Sequence, residues 1–462
     1  MGHYNNCAVI GTYRFPNSLV ASDIFLDTLK HALAKTIDRH PELCYGIHHR
    51  SGEEPAHLYR IPELKWDDIV EVEEDLVENG DPILEKAASR IHDRRFTDQY
   101  NRPAWTLSVL KYQSQGDSNL FRVDIIFAGH HGVADGGSCL AFQKTIQAYL
   151  YQDSAGQEQD RVSRWPYAVP DTASSPILLE DKMPLKPFLD LPVVAKVADT
   201  ILDPWTANPP TVLNKDSLHT QVASLTLPFA QVTDVLAYCR QRGITLTGLL
   251  HGLILIYLSK ALPQAQTFRG STPISLRAFT GTSTDEIVNH ISSIYHDWKP
   301  EHISLLRRSS EKSSEENEAI SIIAQSFQDE VRAEMKAIPI RGPEAVFIAR
   351  ILENPASIDE MCLAAEKSAK RSTTYEVSNV GLLKASELNG DVGGQVVRLE
   401  RAMFTQSAMM TGCPLNCSVV SVAHGPLAIT LTWLEGVVDD AIVYGLRDFL
   451  SRRLSTATPE KA

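Results

Sequence analysis

Two adjacent histidines followed by an aspartate and a glycine are the residues of this chain best suited to acid–base chemistry. They are His130, His131, Asp135 and Gly136, within the run GHHGVADGG. An imidazole has an ordinary pKa of about 6.5, so it can both accept and donate a proton near neutral pH. Asp135, four residues after His131 in a glycine-rich turn, can determine how that imidazole is presented. We therefore predict that His131 is a general base.

A metal site is the main alternative for the same residues. Adjacent side chains on an extended strand point to opposite faces, so His130 and His131 cannot easily share one ion. The chain contains no His-Glu-x-x-His and no Cys-x-x-Cys motif. A serine hydrolase is also disfavoured, because no Gly-x-Ser-x-Gly motif is present to supply its nucleophile. We therefore expect neither a bound metal nor a serine nucleophile.

The residues around the motif predict a turn between a strand and a helix. Leu120 to Ala128 alternates as a strand, and Ser138 can cap the helix that follows. Such a turn can direct side chains into a cleft. Other segments predict a mixed α/β chain. Predicted strands are Cys7–Tyr13, Leu43–His48, Trp105–Tyr112, Phe268–Ile274, Thr374–Asn379, Cys417–Val422 and Ala428–Leu434, and predicted helices include one after Ser22, one after Thr245 or Thr247, and two at 316–337 and 343–368.

A proline-rich crossover separates two halves of similar α/β character. Prolines recur between Pro166 and Pro210, where the alternation of strands and helices is interrupted. We predict an N-terminal half over 1–195 that carries the histidine motif, a linker over 196–215 and a C-terminal half over 216–462. A chain of 462 residues can build two hydrophobic cores.

Composition excludes some partners and compartments. The net charge of −13 disfavours nucleic acid, because an acidic chain repels phosphate. Seven scattered cysteines are typical of reduced, buried thiols in a cytosolic protein. The N-terminal residues resemble no secretory signal, and no apolar run is long enough to span a bilayer. We predict a cytoplasmic protein without membrane insertion.

The run from His130 to Gly136 resembles the HHxxxDG signature of the CoA-dependent acyltransferase superfamily, which includes chloramphenicol acetyltransferase, plant BAHD enzymes, fungal alcohol acetyltransferases and condensation domains. Further segments are similar in the same order. They are Ala32–Leu43, Asn101–Trp105, Thr272–Arg277, Val377–Gly381, Phe404–Ser407 and Asn416–Ser421. The chain lacks the Asp-Phe-Gly-Trp-Gly motif of the BAHD branch, which favours the fungal alcohol acetyltransferase-like branch.

The resemblance implies a fold and a mechanism. Two chloramphenicol-acetyltransferase-like α/β halves with mixed sheets would pack around a central tunnel. The acyl thioester and the acceptor would enter from opposite faces, and His131 would take the acceptor proton and return it to the leaving thiolate without a covalent acyl-enzyme.

The same resemblance implies roles for the other site residues. Asp135 would be a structural residue paired with Arg277, His130 a supporting residue, and Gly136 a position of close backbone approach. Ser378 and Asn379 would supply hydrogen-bond donors from the second half. Gln406 and Ser407 would line the path of the acceptor or of pantetheine.

The implied function is an acyl-CoA-dependent O-acyltransferase, with acetyl-CoA as co-substrate, no permanently bound cofactor and a small alcohol or secondary metabolite as acceptor. One alternative takes the acyl group from a carrier protein and condenses or releases a polyketide or peptide. Another alternative, of a different class, is a non-catalytic binding protein on the same fold. Single-chain members of the superfamily imply a monomer.

Overall fold

Two mixed β-sheets, each covered by helices, form the two halves of the protein. The computed structural model describes residues 6–48, 57–77, 80–96, 100–113, 119–154, 164–183, 203–208, 218–341, 371, 373–384, 396–409 and 412–457. The predicted α/β fold class with mixed sheets is confirmed. The helix predicted at 343–368 and most of the predicted linker at 196–215 lie outside the described residues.

The first part of the chain contains eight strands and five helices among the described residues. In chain order they are β1 (Asn6–Pro16), α1 (Ser22–Arg39), β2 (Tyr45–His48), β3 (His57–Arg60), β4 (Glu63–Leu64), α2 (Trp66–Ile69), β5 (Val70–Leu76), α3 (Asp81–Asp93), β6 (Trp105–Tyr112), β7 (Leu120–His130), α4 (Gly136–Ser154), β8 (Tyr167–Ala168) and α5 (Leu179–Lys182).

The second part of the chain adds seven strands and six helices to the described structure. They are β9 (Thr220–Leu227), α6 (Phe229–Gln241), α7 (Leu246–Ala261), β10 (Phe268–Ser275), α8 (Arg277–Thr280), β11 (Ile291–Trp298), α9 (Pro300–Arg308), α10 (Ser314–Arg341), β12 (Tyr375–Leu383), β13 (Arg398–Gln406), β14 (Leu415–Val422), β15 (Leu427–Leu434) and α11 (Asp440–Ser455).

The two large sheets mix parallel and antiparallel pairs. The first has the order β13-β1-β7-β6-β5, with β5 parallel to β6 and the other neighbours antiparallel. The second has the order β11-β10-β12-β14-β15-β9, with parallel pairs on both sides of β12. Each sheet belongs to a hydrophobic core of its own.

One strand of the first sheet comes from the second half of the sequence. β13 lies between β12 and β14 in the chain, yet it pairs antiparallel with β1 in the first sheet, with Cys7 opposite Gln406. β1 is consequently an inner strand, hydrogen-bonded to β7 on its other side, and nearly all of its residues are buried. The sequence analysis did not predict β13 as a strand. The first sheet is therefore completed by residues far from it in the chain.

The strand and helix that flank the histidine motif form for local reasons. β7 is almost entirely buried from Phe121 to Gly129, because it lies between β1 and β6 in the sheet. α4 follows after a turn of five residues and packs against α1 and β1. The sequence predicted that Ser138 caps α4, and this was wrong. The helix begins at Gly136, and the carboxylate of Asp135 accepts a hydrogen bond from the backbone N–H of Ser138 at 2.8 Å, so Asp135 is the cap.

The most apolar helix of the chain is a core helix. α7 is capped by Thr245, whose hydroxyl accepts from the N–H of Gly248 at 3.1 Å, and most of its residues are buried. It contacts α6, α9, α10 and α11, and a helix surrounded in this way can be apolar on every side. Among the described helices, none is by itself long and apolar enough to cross a membrane. The pair α6 and α7 meets that criterion only when joined across a bend of 92°.

Candidate active site

The predicted base, His131, is the first residue after β7. The backbone N–H of His130 continues the strand pairing by donating to Ala104 at 2.8 Å. The carbonyl of His130 then accepts from the N–H groups of Val133 and Ala134, at 2.9 and 3.1 Å, which closes a tight turn. The side chain of His131 is thereby held at the end of a buried strand, where its position depends on the sheet rather than on a loose loop.

The two histidines of the doublet face different surroundings. His131 lines a cavity, and His130 does not. Nδ1 of His130 accepts a hydrogen bond from the N–H of Gly132 at 2.9 Å, and its ring packs edge-on against Phe96. Burial, with a smaller effect from His131, lowers the pKa of His130 to about 4. His130 is therefore a neutral residue that stabilises the turn.

His131 is held as a neutral imidazole as well. Its Nδ1 atom is buried, and burial lowers its pKa below the ordinary 6.5. The charge of Asp135 and hydrogen bonds to the backbone of His131 and Ala134 raise this pKa, but by less than burial lowers it. A neutral imidazole that faces a cavity can accept a proton from a bound molecule.

The carboxylate of Asp135 is fully engaged by hydrogen bonds within the protein. Its oxygens accept from Nη1 and Nη2 of Arg277 at 2.6 and 2.9 Å, and from the backbone N–H groups of Ser138 and His290 at 2.8 and 3.2 Å. Asp135 is 1% exposed and Arg277 5%. The predicted pair of Asp135 and Arg277 is thus present as a buried, bidentate contact between the two halves.

A segment of the second half, between α8 and β11, forms hydrogen bonds with the histidine turn and the start of α4. The hydroxyl of Ser138 lies 2.6 Å from the carbonyl oxygen of Val288 and 3.0 Å from its backbone nitrogen. One residue further, the amide of Asn289 donates to the backbone carbonyl of His131. The sequence analysis missed Asn289 and Val288, because nothing in their local sequence marks them. The backbone that carries His131 is therefore clamped from both halves.

A cavity of about 530 Å³ lies where the halves meet, a size typical of small-molecule sites. Its walls come from α4, β10, β11, β12 and β13 in addition to the histidine turn. Lining residues include His131, Gly136, Lys144, Arg277, Asp285, Glu376, Ser378, Asn379, Phe404 and Gln406. Of the residues predicted for the site, the structure brings together His131, Asp135, Gly136, Arg277, Ser378, Asn379 and Gln406 around this cavity.

Close approach of the second half explains the glycine at position 136. A Cβ atom on Gly136 would lie 2.4 Å from Cγ1 of Val380 and 3.0 Å from Cζ of Phe404. Contacts that short are not tolerated unless the side chains of Val380 and Phe404 shift. Only a glycine therefore allows the first turn of α4 to meet the opposite wall of the cavity.

Ser378 and Asn379 both line the cavity, but they are not equivalent. Nδ2 of Asn379 donates to the hydroxyl of Thr247 at 3.1 Å, and its Oδ1 accepts from the N–H of Gly381 at 3.0 Å. Gly381 has φ of +86°, and the pairing of β12 with β14 is irregular here. Bulges of this kind often lie beside active sites, where they redirect a strand. Asn379 therefore shapes the bulge, whereas buried Ser378 presents a hydroxyl to the cavity.

Ser407, predicted to line the substrate path, does not line the cavity. It is buried, and its hydroxyl accepts from the backbone N–H of Asn6 at 3.2 Å. Successive side chains of extended backbone point to opposite sides, so Gln406 and Ser407 cannot both face the cavity. Gln406 does, and its amide donates to Glu376 and Ser418, each at 3.2 Å.

Glu376 is a lining residue that the sequence analysis overlooked. It precedes Ser378 by two positions on β12, so both side chains lie on the same face of the strand. A glutamate between the core residues Tyr375 and Val377 is a signal in itself, because ionisable residues are rarely buried.

Other histidines have structural surroundings. His251 is buried and hydrogen-bonds Tyr375 and Thr272, each at 2.9 Å. His48 contacts His57 on the neighbouring strand at 3.1 Å. Within the described ranges, no group of three or more histidine, cysteine, aspartate or glutamate residues could hold a metal ion.

Comparison with known proteins gives consistent matches over most of the chain. The sequence model of the alcohol acetyltransferase family matches residues 27–450. A probable alcohol acetyltransferase, FCK4, of Fusarium pseudograminearum is 23% identical over 76% of this chain and 70% of its own length. A second, crmB of Aspergillus fumigatus, is 22% identical over 97% of this chain and 94% of its own length.

Solved structures share the fold at low sequence identity. The trichothecene 15-O-acetyltransferase TRI3 of Fusarium sporotrichioides superposes with a TM-score of 0.70 at 12% identity, covering 99% of this chain and 91% of its own. The first condensation domain of the CDA synthetase gives a TM-score of 0.56 at 15% identity, covering 98% and 91%. These likenesses confirm the predicted two-lobed fold.

Proposed function

The chain belongs to the alcohol acetyltransferase family, and on that premise we propose that it transfers an acetyl group from acetyl-CoA to a hydroxyl of a small alcohol or secondary metabolite. The family predicted from the HHxxxDG run is confirmed, and the chain is an acyltransferase. One observation carries the finer proposal. His131 from the first half and Ser378 from the second line the same cavity, so a base and a hydrogen-bond donor are available to one bound pair of substrates.

His131 acts as the general base. Because His131 lines the cavity, its imidazole can reach a molecule bound there. It takes the hydroxyl proton as the acceptor oxygen attacks the thioester carbonyl carbon. Because burial keeps the ring neutral, the base is ready at physiological pH.

Ser378 stabilises the oxyanion that forms when the acceptor oxygen adds to the carbonyl. A buried hydroxyl donor in a partly desolvated site is worth more than the same donor in water. The C–S bond then breaks, and the protonated His131 returns its proton to the departing thiolate. A thiol has an ordinary pKa near 8.5, so this leaving group needs only modest acid assistance.

Transfer is direct, without an acyl-enzyme. The cysteines among the described residues are buried, and burial raises the pKa of Cys44, Cys139, Cys239, Cys413 and Cys417. Thiols in such surroundings are poor nucleophiles. Acetyl-CoA is a co-substrate, and the enzyme needs no permanently bound cofactor. We propose further that it works as a cytoplasmic monomer.

The test compares two donors and two variants. Purified protein is incubated with a panel of alcohols and either acetyl-CoA or an acetylated carrier protein, and ester products are measured by mass spectrometry. We expect esters from acetyl-CoA. We expect His131→Ala to lose about 10²–10⁴-fold of turnover with an unchanged thermal unfolding midpoint. His57→Ala, an exposed histidine on β3, is the matched control and retains full turnover.

Each alternative predicts a different result. Esters formed only from the carrier protein would establish the carrier-dependent function. Saturable acetyl-CoA binding without turnover would indicate a non-catalytic binding protein. Full turnover by His131→Ala would exclude His131 as the base, and an acetyl adduct on the intact protein would contradict direct transfer.

A further inference from the structure

Glu376 is a buried carboxyl group in the wall of the cavity that also contains His131. It is 4% exposed, and its neighbours on β12, Tyr375 and Val377, are fully buried in the core of the second half. The alternation of the strand therefore places Glu376 and Ser378 together on the cavity side. The mechanism proposed above does not use Glu376.

The contacts of this carboxyl group leave it without a compensating cation. Oε1 accepts from the amide of Gln406 at 3.2 Å, and Oε2 accepts from the hydroxyl of Ser271 at 3.1 Å. Arg269, on the neighbouring β10, is instead paired with Asp297 at 2.6 Å. Within the part of the chain that the structure describes, no ion pair involves Glu376.

Burial without a cation favours the protonated acid. Desolvation raises the pKa of Glu376, and the hydrogen bonds from Gln406 and Ser271 only partly oppose this. A protonated carboxyl group has an O–H to donate and lone pairs to accept, and two neutral partners do not use all of this capacity. Burying a polar group that lacks some of its hydrogen-bond partners costs free energy. Such a group in a cavity is a candidate for ligand binding.

A hydroxyl group fits this acid better than the other parts of the substrates. The phosphates of CoA are anions, and binding one at this carboxyl group would bury a negative charge among neutral partners. The methyl of an acetyl group cannot form hydrogen bonds. An ammonium group would create a buried ion pair, with the desolvation of both ions as its cost. A hydroxyl both donates and accepts, so it matches the neutral acid.

We propose that Glu376, held by Gln406 and Ser271, binds a second hydroxyl group of the acceptor while His131 deprotonates the first. The substrate class is consequently a diol or a more highly hydroxylated acceptor rather than a simple alcohol. This inference rests on the proposed function, because it assigns the acceptor of that same site. Glu376 is a specificity-determining residue in this scheme and takes no part in bond making.

The kinetic test uses matched pairs of acceptors, from butanol and butanediol to decanol and decanediol, each a linear primary alcohol and its terminal diol. At the chain length that spans the site, we expect the wild-type kcat/KM for the diol to exceed that for the alcohol about 10-fold, as one well-placed buried hydrogen bond provides. Glu376→Leu should abolish this preference. Glu376→Gln should retain most of it, because an amide also donates and accepts.

Folding of the variants is not expected to limit the test. Leucine and methionine approach the volume of glutamate, and replacing an uncompensated buried acid by an apolar residue removes a desolvation cost. Glu376→Met, which keeps the unbranched shape, is the second variant. Thr432→Val removes a buried hydroxyl from β15 in the same sheet, outside the cavity lining, and should leave the diol preference unchanged.

A binding measurement separates this inference from the proposed function. Calorimetric titration of His131→Ala with each diol and each alcohol requires no turnover. We expect tighter binding of the diol, and loss of that difference when Glu376→Leu is added. If wild-type protein esterifies no alcohol yet shows this binding difference, the proposed function fails and the role of Glu376 stands.

Three results would overturn the inference. The first is an equal ratio of diol to alcohol kcat/KM in wild type, Glu376→Leu and Glu376→Met. The second is a raised KM for acetyl-CoA in Glu376→Leu with an unchanged acceptor ratio, which would place Glu376 on the donor side. The third is a wild-type preference for the amino alcohol over the diol of the same length, which would show that the site selects a cation.

Discussion

Nη1 of Arg277, from the second half, lies 2.6 Å from Oδ2 of Asp135, in the turn that follows His131 in the first half. The pair is bidentate and buried, and the same carboxylate caps α4. It connects the helix cap, the histidine turn and the opposite wall of the cavity. Asp135 is therefore a positioning residue. Replacing it should lower the free energy of unfolding and, because the histidine turn is then less well held, also the turnover.

We expect Asp135→Ala to lower the free energy of unfolding by about 3–5 kcal/mol, because it leaves the guanidinium of Arg277 buried without its partner. Urea unfolding followed by circular dichroism measures the loss. Arg14→Ala is the control, since Arg14 and Glu400 form an ion pair whose side chains are 39% and 46% exposed, and exposed pairs are worth at most about 1 kcal/mol. Equal losses in the two variants would contradict the assigned role.

The pH dependence of turnover should follow the ionisation of His131. A general base acts in its neutral form, and burial lowers its pKa below 6.5. We therefore expect kcat/KM to be constant above pH 6.5 and to fall only in more acidic buffer. A pH–rate profile checks this, and the residual activity of His131→Ala should lack the acidic limb. An inflection above pH 6.5 would be inconsistent with a buried, neutral base.

Gly136→Ala should reduce turnover while the protein remains folded. The added Cβ would meet the side chains of Val380 and Phe404, so these walls of the cavity have to shift relative to the histidine turn. Displacing reacting groups by about 1 Å can cost about 10²-fold in rate, and we expect a loss of that order in kcat/KM. Gly445→Ala places a Cβ against the phenol end of the Tyr257 side chain, and Gly445 does not line the cavity, so this variant should leave kcat/KM unchanged.

Buried histidines should make the folded protein sensitive to acid. Burial lowers the pKa of His92 to about 3 and those of His40 and His130 to about 4. Between these values and the ordinary 6.5, the unfolded chain binds more protons than the folded one. The stability that the neutral rings contribute is thus complete above pH 6.5 and is lost as the pH falls towards 4.

Urea midpoints measured across this range check the effect. His92→Gln should make the dependence of stability on pH shallower, even though it also removes hydrogen bonds to Asn6 and Thr405. His57→Gln, at an exposed position, should leave the slope as it is in the wild type. An unchanged slope in His92→Gln would show that other groups dominate.

The parts of the site that depend on local sequence were predictable. The buried strand before His130 and the helix after Asp135 follow from hydrophobic periodicity. The side chains of His130 and His131 have different surroundings because neighbouring residues of a strand point to opposite faces. Arg277 and Ser378 came from the resemblance to a family. Ser138 was misassigned as the cap because serine and aspartate are both favoured there, and only the backbone shows which one precedes the first turn.

Contacts across the two halves were not predictable from one sequence. Asn289 reaches His131 over more than a hundred residues of chain, and no periodicity or motif encodes that distance. Ser407 was assigned to the site together with Gln406, although strand alternation allows only one of them to face the cavity. Glu376 could have been identified, because a glutamate in a buried strand is a physical anomaly.

The pairing of β13 with β1 has a consequence for how this protein is made. β1 leaves the ribosome long before Arg398 to Gln406 have been synthesised, and until then its outer edge exposes unpaired backbone groups next to apolar side chains. Open strand edges invite pairing with other chains. We therefore expect the nascent chain to be prone to aggregation until translation is nearly complete. A message truncated before residue 398 should yield an aggregating product rather than an independent first half.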